Sequence, residues 1–191
     1  MNLRELILKN RSYRRFFEEM KIDRKLLEEW IDLARLSPSA KNLQHFKYHI
    51  SCTTELCEQI FPLTGWAGYL KEWPGPEKGE RPVAYITLLH DTTISTNAWN
   101  DQGIAAQSIL LGATEQGYGG CTLAAVNKKE LAKLLNLPSH LDIIFTIALG
   151  KPKEIIILED VKNDNICYYR DEMQQHHVPK RSLQEIIINW D

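Results

Sequence analysis

The sequence contains no run approaching the roughly 18 consecutive apolar residues that a membrane-spanning helix needs. Its four cysteines, Cys52, Cys57, Cys121 and Cys167, form no C-x-x-C pair, and none has a histidine at a zinc spacing. That argues against a disulfide framework and a structural metal, and reduced thiols in a cytoplasmic protein are the expectation. Charge of one sign is also lacking. A formal net charge of −2 gives no pull on nucleic acid or anionic lipid, so any anion must be held by a local basic cluster. No G-x-G-x-x-G follows a strand, which leaves a nicotinamide as a visiting substrate and not a resident Rossmann ligand. There is no internal repeat and no low-complexity stretch. Arg4, Glu5 and Lys9 interrupt the first leucines, against the apolar core of a secretory signal. His176 and His177 have no acidic or cysteine partner at ligand spacing and read as a surface feature. Cys121, with no histidine in a recognisable pattern nearby, reads as core.

What is present fits one globular domain over residues 1–191, since 43% of the chain is hydrophobic and 25% charged. Leu3, Leu6 and Ile7, then Leu26, Leu27, Trp30, Leu33 and Ala34, recur at helical spacing, with Asp23 as N-cap of the second run. Residues 46–51 and 82–90 read as strands, and the Pro/Gly/charge-rich segment 73–80 as a surface loop or active-site lid. Residues 100–116 are small or aliphatic around most of a helix, which must therefore be buried. A glycine break at 117–120 leads to a strand at 121–125. Asn127 with Glu130 caps a short helix. Residues 143–149 form a final core strand, and a polar tail ends in the apolar Leu183, Ile186, Ile187, Ile188 and Trp190.

Two clusters carry candidate chemistry. Arg11-Ser12-Tyr13-Arg14-Arg15 places three guanidiniums beside a hydroxyl, suited to bidentate bonds with a phosphate or, equally, to the end of a helix. Ser37-Pro38-Ser39-Ala40-Lys41-Asn42-Leu43-Gln44 has the small polar residues of a ligand-facing loop or an ordinary turn.

Taken in order, Arg11-Ser12-x-Arg14-x-Phe16 and Ala34-Arg35-x-Ser37-Pro38-Ser39-Ala40-x-Asn42-x-Gln44 resemble the N-terminal signature of the nitroreductase family of flavoenzymes. The similarity continues through Asp101-x-Gly103-x-Ala105-x-Gln107, Gly117-x-Gly119, the 121–127 segment, Leu134-x-x-Leu137-Pro138 and Leu149-Gly150-x-Pro152, with Val178-Pro179-Lys180-Arg181 near the end. The resemblance implies an α+β fold. A central, mostly antiparallel sheet is flanked by helices in an intertwined homodimer, joined through the 100–116 helix, with residues 161–191 packing on the partner subunit. It implies FMN as cofactor, NAD(P)H as donor and a small electrophilic acceptor such as a nitroaromatic or quinone, reduced in a ping-pong cycle.

By the same resemblance, Arg11 and Ser12 hold the FMN phosphate with Lys180 or Arg181. Arg14 reaches the flavin pyrimidine. Pro38, Ser39 and Ala40 line the ring from the other subunit with Asn42 close by, and Gln107 and Ala124 belong to the cofactor site. The backbone N–H of Ala125 supports flavin N5, and no side chain is required as a catalyst. Two departures stand out. Ala124-Ala125 replaces the family's common glycine-containing pair, and region 61–81 lacks a clear match for the asparagine that many relatives use on the flavin. Reductive dehalogenation, ene reduction, or flavin storage without turnover are the alternative functions.

Overall fold

The computed structural model describes residues 1–189; Trp190 and Asp191 lie outside the described residues. The chain divides into two compact units, one made of Met1–Trp66 with Pro74–Lys153, the other of Ala67–Trp73 with the chain from Glu154 onward.

The first unit is built on a four-stranded antiparallel sheet, β1 (Phe46–Ser51), β2 (Ala84–Asp91), β3 (Gly119–Leu123) and β4 (Leu141–Gly150), in the order β1-β2-β4-β3. Its helices are α1 (Leu3–Lys9), α2 (Arg24–Leu36), α3 (Thr54–Ile60), α4 (Asp101–Glu115) and α5 (Lys128–Leu134). The α+β architecture with helices on both faces is the one expected.

The period-two alternation of the strands feeds two cores. Ile86, Leu88, Ile147 and Leu149 meet Leu27 and Trp30 of α2 and Ala106, Ile109 and Ala113 of α4 on one face. Tyr85, Leu89, Cys121 and Ala148 meet Cys57 and Ile60 of α3 and Leu131 of α5 on the other. Between Leu88 and Leu89 the register jumps from Phe145 to Ile143, which leaves Ile144 as the extra residue of a bulge. Ile143 is thereby turned from the face of Phe145 to the opposite core.

Asp23 caps α2 by accepting from the Lys25 N–H at 2.8 Å, as its position in the sequence implies. Asn127 caps α5 through the Glu130 N–H, and only that half of a capping box is present. Gly119 and Gly120 belong to β3 and are not a break: Gly120 pairs with Leu149, and a Cβ there would lie 2.5 Å from the Ala148 carbonyl oxygen. Any larger residue would push the two strands apart. α4 is not buried all round within its unit. Asp101, Ala105, Ala106, Ile109, Gly112, Ala113 and Thr114 face inward, whereas Gly103, Ile104 and Gln107 are exposed.

The 143–149 segment is not the last strand. The second unit contains β5 (Ile156–Asp160), β6 (Tyr169–Arg170), β7 (His176–Lys180) and α6 (Leu183–Ile186), with the sheet order β5-β7-β6. β5 and β7 run parallel. These strands were not foreseen in the sequence because β7, His-His-Val-Pro-Lys, has no apolar alternation, and its Pro179 cannot donate to a ladder. Polar pairing replaces a greasy core. Arg170 and Glu154 form an ion pair at 3.3 Å with almost no exposure, and the Arg170 guanidinium lies 4.1 Å from the centre of the Trp73 ring. His177 stands between two carboxylates, Nδ1 at 3.1 Å from Glu159 and Nε2 at 3.3 Å from Asp171, and its ring stacks on Tyr169. A neutral imidazole has one N–H and can donate to only one of the two, so this geometry suits the imidazolium. Burial pulls the His177 pKa down, and the bonds and charges of Glu159 and Asp171 outweigh it, for a net rise.

Candidate functional site

The basic cluster splits by role. Arg15 pairs with both oxygens of Glu80, Nη2 donating at 2.7 Å, and the Lys153 ammonium adds a third contact at 3.0 Å. The bond from Arg15, helped by Lys153, holds the Glu80 carboxyl down at about 2 against the cost of its burial. Arg15 is therefore structural and closes the turn after α1 onto the loop before β2. Arg11 donates through Nε to Asn10 and through Nη2 to Ile7, both carbonyls of the last turn of α1 or its cap. That is the helix-end role its position allowed, and it leaves three of the five guanidinium N–H donors. Arg14 donates to the Ser12 carbonyl at 3.2 Å. Ser12 is exposed and bridges Gly120, so the hydroxyl is carried on the edge of the sheet next to β3.

The second cluster is folded around a cavity of about 160 Å³ lined in part by Ser37, Pro38, Ser39, Gln44, Tyr48 and Asp101. Ala40–Asn42 form a single 3-10 turn, and Lys41, Asn42 and Gln44 all have left-handed backbone, with φ of 52°, 55° and 50°. Residues with a Cβ adopt that region at a cost of about 1–2 kcal/mol each, with asparagine the most tolerant. The strain is held by α4. Asp101, at its first turn and 6% exposed, accepts from the Ala40 N–H at 2.8 Å, and Ser108 meets the Ser37 hydroxyl at 2.7 Å. The Ser39 hydroxyl accepts from the Gln44 N–H at 3.3 Å and closes the loop on itself. Burial pushes the Tyr48 phenol up to about 12, so it faces the cavity as a neutral hydroxyl.

α4 also reaches the first cluster, since Gln107 accepts from the Asn10 amide at 3.4 Å. One helix thus ties the Arg11–Arg14 turn to the Pro38–Gln44 loop through Gln107, Ser108 and Asp101. Ala124 and Ala125 follow β3 and are exposed. Ala125 has no left-handed φ, and its carbonyl accepts from the Gly65 N–H at 2.6 Å. A Cβ on Gly65 would come within 3.0 Å of the Ala125 Cβ, so the glycine lets the two backbones meet. Lys180 and Arg181 belong to the second unit, where Arg181 pairs with Asp164 at 2.8 Å and Glu185 at 3.5 Å.

Composition gave no hint of Tyr48 or His45 as lining residues. Asp101 was visible as the head of a motif, but its hold on Ala40, 61 residues away, was not. Among the described residues no group of three or more His, Cys, Asp or Glu is placed to hold a metal ion, and no helix is long and apolar enough to cross a membrane.

The sequence profile described as "Nitroreductase family" matches residues 7–74 and 83–151, which include both clusters, the whole of α4 and Ala124-Ala125. A Bacillus subtilis protein named, provisionally, as NAD(P)H nitroreductase YodC is 23% identical over 176 residues, covering 76% of this chain and 87% of that protein. Among solved structures, a nitroreductase family protein from Clostridium novyi is 27% identical with a TM-score of 0.66, covering 80% of this chain and 88% of its own. An FMN-dependent nitroreductase from Clostridium difficile is 22% identical with a TM-score of 0.65, covering 83% and 91%.

Proposed function

The chain belongs to the nitroreductase family, and on that premise we propose that it is an FMN-dependent oxidoreductase carrying hydride from NAD(P)H to a small electrophilic acceptor such as a nitroaromatic or a quinone. The observation that carries this reading is the strained 38–44 loop, held around a cavity by Asp101 and Ser108 of the same helix whose Gln107 reaches the Arg11 turn. Left-handed backbone at three neighbouring positions persists only where the surroundings fix it, and such strain gathers at ligand sites. FMN-dependence in the Clostridium difficile relative and the NAD(P)H in the name of the Bacillus protein agree with it.

The donor set fits FMN. Ser12 offers a hydroxyl and Arg11 three remaining N–H groups for a phosphate dianion, which two such charge-assisted bonds hold in a fixed geometry. Arg14 is assigned to the pyrimidine edge, where a guanidinium opposes the negative charge that accumulates on reduction. The Ala125 N–H is assigned to the reacting edge of the ring. Its φ is not in the left-handed region that would call for glycine, so the Ala-Ala pair is compatible with this role. Pro38, Ser39, Ala40 and Asn42 are assigned to the ring of a flavin shared across a homodimer, and the exposed Gly103, Ile104 and Gln107 stripe of α4 is the surface we assign to the second copy. When bound, FMN supplies the two-electron chemistry, and NAD(P)H and the acceptor use one open face in turn. The protein's part is to orient, to counter charge and to exclude water.

The test is selectivity for the phosphate. Two bonds at about 1.5–3 kcal/mol each predict at least a hundredfold preference for FMN over riboflavin in a fluorescence titration of the flavin-free protein. Arg11→Ala is expected to narrow that gap. Equal affinity for the two flavins contradicts the assignment of Arg11 and Ser12.

A further inference from the structure

Beside the 38–44 loop, an exposed indole and an ammonium are held together by backbone that neither residue type prefers. Trp99 is 43% exposed and has φ 54°, a conformation that a bulky L-residue rarely adopts. The backbone N–H of Trp99 donates to the Asn97 side-chain oxygen at 2.7 Å in a tight turn. Lys41, at φ 52°, carries its Nζ 5.6 Å from the centre of the Trp99 ring, within the range of a cation–π contact. The bond from Ala40 to Asp101 ties together the two segments that carry them, since Lys41 follows the donor and Trp99 lies two residues before the acceptor.

The charges nearby single out this ammonium. Of the charged residues lining the cavity of the 38–44 loop, Arg35 is paired with Asp32 at 2.6 Å and the Asp101 carboxylate accepts from Ala40. Lys41 is exposed and makes no ion pair among the described residues. Lys41 stands in sequence between two residues that line the cavity, Ser39 and Gln44. Trp99 is thus strained and partly solvent-facing, with a cation beside its ring.

We propose that Lys41 and Trp99 select, among acceptors of the reaction, planar aromatic compounds that carry a carboxylate or similar anionic substituent. The proposal rests on the functional reading above and adds the substrate class to it. The acceptor's ring packs against the indole, and its anionic group meets the Lys41 ammonium. A neutral acceptor of the same shape keeps the first contact and lacks the second.

The experiment is a titration of oxidised, FMN-loaded protein with 4-nitrobenzoate and with its methyl ester, the Kd of each read by calorimetry without turnover. The acid is expected to bind more tightly than the ester. Lys41→Ala should lower the acid-over-ester ratio about two- to fivefold, Lys41→Arg should keep it, and Lys41→Glu should bring it below that of Lys41→Ala. Trp99→Ala should weaken both ligands together, and Trp99→Phe should restore them. An acid-over-ester ratio unchanged in Lys41→Ala overturns the role of the ammonium, and unaltered affinities in Trp99→Ala overturn that of the indole. Flavin loading and its bleaching by NAD(P)H are read separately from the absorption spectrum, so a failure of the functional reading shows there and not in the ratio.

Discussion

Asp101→Ala is expected to lower FMN affinity by tenfold to a hundredfold while leaving the secondary structure intact. Its carboxylate makes a bond to the Ala40 N–H in a nearly dry setting, and bonds to charged groups contribute about 1.5–3 kcal/mol. What the bond holds matters more than the bond itself. Lys41, Asn42 and Gln44 would relax out of the left-handed region once the turn at Ala40 is released, and the loop would have to be reordered each time a flavin binds. Asp101→Asn keeps an oxygen that can accept from the same N–H, and it should lose much less. Flavin fluorescence titrations of the two variants check this, with circular dichroism as the control for folding. An Asp101→Ala protein that binds FMN as the wild type does would show that α4 does not organise the loop.

Glu80→Gln is expected to destabilise the protein by about 1–2 kcal/mol near neutral pH, between the values for exposed and fully buried pairs. Glu80 lies under two cations, Arg15 and Lys153, and is only 16% exposed, so the amide would leave both without their counter-charge. The carboxyl titrates at about 2 in the folded protein against 4.5 in the unfolded chain. A depressed acid contributes stability that is fully present above the unfolded value, and that contribution is lost as pH falls from about 4.5 to about 2. Urea unfolding of the wild type should therefore show a fall in stability across that window, one that the Gln variant lacks. Equal pH dependence of the two proteins would mean that the Arg15–Glu80 contact contributes nothing to stability. The variant also separates roles within one basic cluster, because it acts on Arg15 and should leave unchanged the FMN preference we assign to Arg11 and Ser12.

These two residues mark where the sequence could be read and where it could not. α2 was legible because its apolar stripe and its Asp23 cap are local, and β1 and β2 because aromatic and β-branched residues cluster between turn formers. The two site clusters were legible as ordered motifs. Which guanidinium would bind a ligand was not, because Arg15 is assigned by Glu80, 65 residues away, and nothing in Arg-Ser-Tyr-Arg-Arg distinguishes its members. The strain at Lys41 and Trp99 was equally hidden, since left-handed backbone at a lysine or a tryptophan is imposed by tertiary contacts against local preference. The sheet of the second unit escaped for a related reason. It is held by Arg170–Glu154 and by His177 between two carboxylates, pairings that leave no hydrophobic period behind. Even β3 was displaced by two residues, because glycines that signal a break in isolation serve there as the close contact between two strands.

The central claim is that this chain moves electrons from a nicotinamide through FMN to an acceptor. It is tested most directly by anaerobic rapid mixing of the FMN-loaded protein with NADH, and separately with NADPH, followed at the visible absorption of the flavin. The account predicts bleaching by at least one donor, with one nicotinamide oxidised per flavin, and full return of colour when a nitroaromatic or a quinone is then added. Flavin that stays oxidised in the presence of both donors, in protein carrying its full complement of FMN, would contradict it.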